Sequence, residues 1–113
     1  VITYWHNPRC SKSRAGLALL EERGAEVSVR RYLEDAPTEA ELRAVLAQLN
    51  VAPIKMMRPG EARFKALGLS RDSDPETLIA AMAENPILIE RPIGVTEGSA
   101  AIGRPPENLL SLL

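Results

Sequence analysis

A chain of 113 residues, 45% hydrophobic and 26% charged, has room for one modest core and the composition of an ordinary globular protein. A net charge of −1 excludes the strong basic excess of a general nucleic-acid binder. No apolar run approaches the length of a membrane span, no charged-then-apolar opening marks secretion, and a single cysteine permits no internal disulfide, which fits a reducing cytoplasm.

Val1 to Trp5 is short and rich in β-branched and aromatic residues, which predicts a strand. His6-Asn7-Pro8 is loop chemistry. It leads into SKSRAGLALLEERG, where Leu17 and Leu20 share a helical face and Gly24 supplies a stop. Val27 and Val29 alternate with polar neighbours and predict a second strand through Leu33, so the first part reads as β-α-β. Thr38 and Glu41 have capping-box spacing, and Leu42, Val45, Leu46 and Leu49 recur with helical period. RPGEARFKALGLS predicts a shorter helix stopped by Gly68. Asp74-Pro75 caps and opens another, with Leu78, Ile79 and Met82 inward and Asn85-Pro86 at its close. ILIERPIGV predicts a buried strand interrupted by Pro92, and SAAIG its partner after the Glu97-Gly98 turn. Pro105-Pro106 opens a terminal helix, ENLLSLL. This order predicts a single α/β domain over residues 1–113, a thioredoxin-like βαβ…ββα mixed sheet with a helical insert at about 38–85 between the halves.

The stretch YWHNPRCSKSR holds the only cysteine and the only histidine, four residues apart. Cys10 falls at the start of the first helix, where unpaired N–H groups and the helix dipole favour a thiolate, and Arg9, Lys12 and Arg14 add positive charge. His6 would assist as a cation or as a hydrogen-bond donor if the loop folds back. An inert buried cysteine is the bland alternative, and polar neighbours count against it. Ser13 stands where the second thiol of a Cys-x-x-Cys pair would be. Its hydroxyl would donate to the thiolate or simply cap the helix, and the residues alone leave both open. Arg14 follows Cys10 too soon for a phosphatase-type Cys-x5-Arg cradle, and there is no Cys/His cluster for a metal.

Arg58, Arg91 and Arg104 each precede a proline at a junction between elements. Guanidinium offers paired donors matched to tetrahedral oxyanions, although spacing alone does not bring the three together. Pro92 draws attention because Xaa-Pro bonds tolerate cis, and a thioredoxin-like fold places a cis-proline beside its active cysteine.

HNPRCSKSR, ERPIGV and IGRPPENLL, in this order and spacing, resemble the glutaredoxin-linked arsenate reductase (ArsC) family. The similarity runs through YLEDAPTEAEL and the Asp74–Asn85 helix, over essentially the whole chain. The resemblance implies reduction of arsenate to arsenite in the cytoplasm, with Cys10 as nucleophile. It implies that His6, Ser13 and Arg14 activate or order the loop, and that Arg58, Arg91 and Arg104 bind the oxyanion. It also implies no bound cofactor, with glutathione as co-substrate and glutaredoxin as partner. RPI and RPPE are intact around Arg91 and Arg104; MMRPGEARF around Arg58 departs from the family's usual Leu-Arg context. Gly94 stands where a β-branched residue is usual and predicts a looser strand. The alternative is a glutathione-dependent thiol oxidoreductase acting on mixed disulfides. A third reading, an oxidant sensor of the same fold that binds the transcription machinery, loses its disulfide switch with Ser13.

Overall fold

A computed structural model describes residues 1–113, which divide into two compact units. One comprises residues 1–35 and 91–113; the other, residues 36–90, contains the segment expected as an insert.

The first unit is built on a four-stranded mixed sheet of order β2-β1-β3-β4, the thioredoxin-like arrangement expected from the element order. β1 (Ile2–Trp5) pairs in parallel with β2 (Val27–Arg30) and antiparallel with β3 (Ile93–Val95), which in turn pairs antiparallel with β4 (Ala100–Ile102). A parallel pair needs a crossover, and α1 (Ser11–Glu22) supplies it. The helix ends in a Schellman closure. Gly24, at φ +75°, donates to the Glu21 carbonyl at 3.0 Å, and Ala25 donates to Leu20 at 3.0 Å. Ile2, Tyr4, Leu20, Ala101 and Leu109 form the core of this unit.

β2 stops at Arg30, short of the expected Leu33. A strand lasts only as long as its partner: His6 N–H donates to the Arg30 carbonyl at 2.8 Å, and beyond His6 the first strand has turned into loop. Residues 31–35 instead fold into a turn in which Glu34 and Asp35 both donate to the Arg31 carbonyl.

The terminal segment Pro106–Leu112 is a 3-10 helix rather than an α-helix. Three residues per turn set Leu109 and Leu112 on one side. Both approach Gly94, where an added Cβ would meet Leu112 at 2.6 Å and Leu109 at 3.2 Å. Gly94 therefore does not loosen β3, which keeps its register with β1 and β4; the missing side chain is the space the leucines occupy.

In the second unit α2 (Glu39–Leu49) packs against α4 (Pro75–Glu84), with Leu42, Val45 and Leu46 of one and Leu78, Ile79 and Met82 of the other buried. Thr38 and Glu41 form the predicted capping box. Asn50 takes the left-handed conformation that closes α2, and Gly68 does the same for the short α3 (Ala62–Ala66). Asp74 occupies the N-cap of α4, but its side chain makes no capping bond; Pro75 at the first helical position starts the helix instead. Pro86–Leu88 is a 3-10 turn and Ile89 makes an isolated bridge with Met57, so the strand predicted in ILIERPIGV begins only after Pro92. No helix is long and apolar enough to cross a membrane.

Candidate active site

Cys10 is the N-cap residue of α1, with extended backbone and partial exposure. Its N–H donates to the Asn7 carbonyl at 3.0 Å, and its own carbonyl accepts from Arg14 N–H at 3.0 Å, which starts the helix. No side chain caps the helix and its first turn holds no acid, so the free N–H groups and the positive end of the helix dipole remain for the thiol.

The loop before Cys10 is tied down by a buried network. Ser13 is completely inaccessible to solvent. Its Oγ accepts from Asn7 N–H at 3.0 Å and lies 2.8 Å from His6 Nδ1. One hydroxyl has one proton, and a buried donor is costly to leave unpaired, so Ser13 donates to Nδ1 and the imidazole proton resides on Nε2. Tyr4 Oη donates to the Ser13 carbonyl at 2.7 Å, and its ring lies 5.7 Å from that of His6. Burial pushes the Tyr4 phenol well above its ordinary range, so it stays a donor. Around the outside, Arg9 N–H donates to Asn7 Oδ1 at 3.1 Å, and Arg14 Nη1 donates to the Pro8 carbonyl at 2.9 Å.

Two expectations change here. His6 does not act as a cation: burial first, then the Arg31 and Arg14 guanidinium groups, hold its pKa below the ordinary 6.5, and it is neutral near neutral pH. Ser13 neither donates to the thiol nor caps the helix, because its hydroxyl is committed to His6 and Asn7. Both residues shape the loop, as does Arg14 through Pro8.

Arg104 is brought to the thiol. Its Nη2 stands 4.0 Å from Cys10 Sγ, and its Nε donates to the Arg91 carbonyl at 2.7 Å. Arg91 thus orients Arg104 through its backbone. The Arg91–Pro92 peptide is cis, as is Arg104–Pro105, which the sequence did not single out. Pro92 is buried; its carbonyl accepts from Gly103 N–H at 2.9 Å. Arg58 belongs to the 36–90 unit, where Glu61 bonds its Nη1 and Glu90 lies 3.8 Å from its Nε.

Tyr4 and Gly16 are the working residues that sequence reasoning passed over. A Cβ on Gly16 would collide with the Tyr4 hydroxyl and stand 2.8 Å from Leu109 and 3.2 Å from Pro92. Both had a signal. Tyr4 lies two residues before His6 in an extended strand and shares its face, and an isolated glycine inside a helix usually marks a close approach. No group of three or more His, Cys, Asp or Glu side chains could hold a metal ion. What the arrangement offers is a thiol at a helix N-terminus with a guanidinium beside it, suited to nucleophilic attack on an anion.

A family model described as the ArsC family matches residues 5–112. An arsenate reductase of Neisseria meningitidis is 46% identical over 99% of this chain and 97% of its own. The uncharacterized protein YfgD of Escherichia coli is also 46% identical, over 99% and 96%. The solved arsenate reductase from Vibrio cholerae matches with a TM-score of 0.93 at 46% identity, covering 99% of this chain and 97% of that one.

Proposed function

The chain belongs to the ArsC family, and from that membership and the geometry at Cys10 we propose that it is an arsenate reductase. The observation that carries the reading is the approach of Arg104 Nη2 to 4.0 Å from the one thiol, whose residue holds the N-cap position of α1. A tetrahedral oxyanion held by that guanidinium presents its central atom to the sulfur.

The Cys10 thiolate attacks arsenate and displaces one oxygen as water, forming a sulfur–arsenic(V) bond. Glutathione condenses on the arsenic with loss of a second water. A glutaredoxin thiol then attacks the glutathione sulfur; the two leave as a mixed disulfide, and the electron pair of the broken sulfur–arsenic bond reduces arsenic(V) to arsenic(III). Hydrolysis releases arsenite and restores Cys10. Both electrons come from external thiols, in keeping with a chain that has one cysteine and a serine at the resolving position. No bound cofactor enters this sequence, and a reducing cytoplasm supplies the thiols. Arg104 and Arg91 serve the oxyanion and its arsenic intermediates. The family resemblance gives Arg58 the same role; within the 36–90 unit Glu61 and Glu90 engage its Nη1 and Nε.

The test is arsenate-dependent NADPH oxidation with glutathione, glutaredoxin and glutathione reductase supplied. Wild-type turnover that disappears in Cys10→Ser and falls at least a hundredfold in Arg104→Ala supports the reading. A wild type that reduces glutathionylated substrates but not arsenate would replace it with the thiol-oxidoreductase alternative.

A further inference from the structure

Between the His6–Arg9 loop and the turn after β2 lies a cavity of about 240 Å³, whose lining includes His6, Pro8, Arg9, Arg31, Leu33 and Glu34. None of these side chains is explained by the reaction at the sulfur except His6, and His6 only through Nδ1. As a residue it is 8% exposed. With Nδ1 occupied by Ser13, the polar atom it has left to offer is Nε2–H. That donor belongs to a residue lining the cavity, which is a reason to look for an acceptor held there. Arg9 and Arg31 place two guanidinium groups on the same cavity, and Arg31 is close enough to His6 to depress its protonation. Glu34 adds one carboxylate. Its backbone N–H is bound to the Arg31 carbonyl, so the turn at 31–35 sets the acid and the base on one rim.

Two cations, one ring donor and one anion complement a zwitterion. A free α-amino acid head presents a carboxylate for the guanidinium and imidazole donors and an ammonium for the acid. A simple anion would leave Glu34 opposed. The volume is below the roughly 300 Å³ at the lower end of sites that enclose a drug-sized ligand, which suits one end of a tripeptide rather than the whole. Resting on the proposed use of glutathione, we propose that this cavity binds the γ-glutamyl end of the thiol co-substrate. Its carboxylate lies against Arg9, Arg31 and His6 Nε2, and its ammonium against Glu34.

His6 is the only histidine, so its ring carbon-bound protons report on the cavity without ambiguity. The full chain is titrated at fixed pH with S-methylglutathione, which cannot undergo thiol chemistry, and in parallel with γ-glutamyl-S-methylcysteine, S-methylcysteinylglycine and inorganic phosphate. We expect saturable shifts of the His6 signals with the two γ-glutamyl peptides and none with the other two probes. Arg31→Gln and Glu34→Gln, each checked for native circular dichroism, should weaken binding about tenfold, the worth of one charge-assisted contact. An equal response to S-methylcysteinylglycine or to phosphate, no His6 shift with any peptide, or unchanged affinity in both variants would each overturn the proposal. The measurement needs no arsenate. A chain that binds the peptide at His6 yet reduces no arsenate keeps the cavity and loses the reductase reading; one that reduces arsenate while ignoring the peptide does the reverse.

Discussion

In the unit of residues 1–35 and 91–113, a phenol bonds the carbonyl of one wholly buried serine, and an imidazole and a backbone N–H bond its hydroxyl. In the 36–90 unit the polar contacts of Arg43 with Glu39 and Glu76 lie on the surface, and the buried positions are apolar. The same residue chemistry is therefore worth different amounts. A buried network costs heavily when one member is lost, because the remaining partners have no water to turn to. Exposed ion pairs contribute little, since water and salt already screen them. Precision is concentrated where Cys10 must be held, and the other unit is stabilised mainly by apolar packing and helix ends.

The largest break in that contrast should come from Gly16→Ala. In an ordinary helix the change would stabilise by about 0.5–1 kcal/mol. Here the added methyl strikes Tyr4 and Leu109, and overpacking of this kind costs about 1–3 kcal/mol. Urea denaturation should show net destabilisation, and alkylation of Cys10 should change because Tyr4 loses its hold on Ser13; a variant as stable as wild type would refute the close approach. Ser13→Ala should follow, at about 1–3 kcal/mol, by leaving Asn7 N–H and His6 Nδ1 without their partner. Ser13→Cys, which restores bulk but only a weak donor, should not recover the loss. Thr38→Ala removes the capping box and should cost about 1 kcal/mol while leaving Cys10 alkylation at the wild-type rate. A change in that rate would show that the contrast between the units is false.

The smallest effect is with pH. Because His6 titrates below its ordinary 6.5, the unfolded chain takes up a proton that the folded chain refuses as pH falls through that value. Stability is constant above about 6.5 and declines on acidification, the sign required when the unfolded state binds more protons. Denaturation midpoints of wild type and His6→Gln between pH 7.5 and 5.5 should diverge, the variant being the flatter. Parallel curves would mean that the imidazole is not held neutral.

Much of this was legible beforehand for local reasons. Helical period, the Thr38–Glu41 box and the glycine stops are encoded within a few residues of where they act, and each formed where the pattern placed it. Legibility failed where an element depends on a distant partner. β2 was expected through Leu33 because its own residues alternate, but its length is set by β1. The terminal segment had a helical composition, and its 3-10 winding answers to the glycines at 94 and 103 on which Leu109 and Leu112 rest. Ser13 was readable as a residue near the thiol; that its hydroxyl faces His6 instead depends on how the loop returns.

By itself the sequence determined the residue types, the order of the elements and the position of the one thiol, because helix and strand periods and the placing of a cysteine at a helix start are properties of short stretches. Only the tertiary structure decided which groups meet that thiol. Arg104 follows Cys10 by 94 residues, and it reaches the sulfur because β3 lies beside β1 in the sheet, β4 beside β3, and the chain leaves β4 through Gly103. Contacts at that separation come from strand pairing and close packing, which are settled by the whole chain at once.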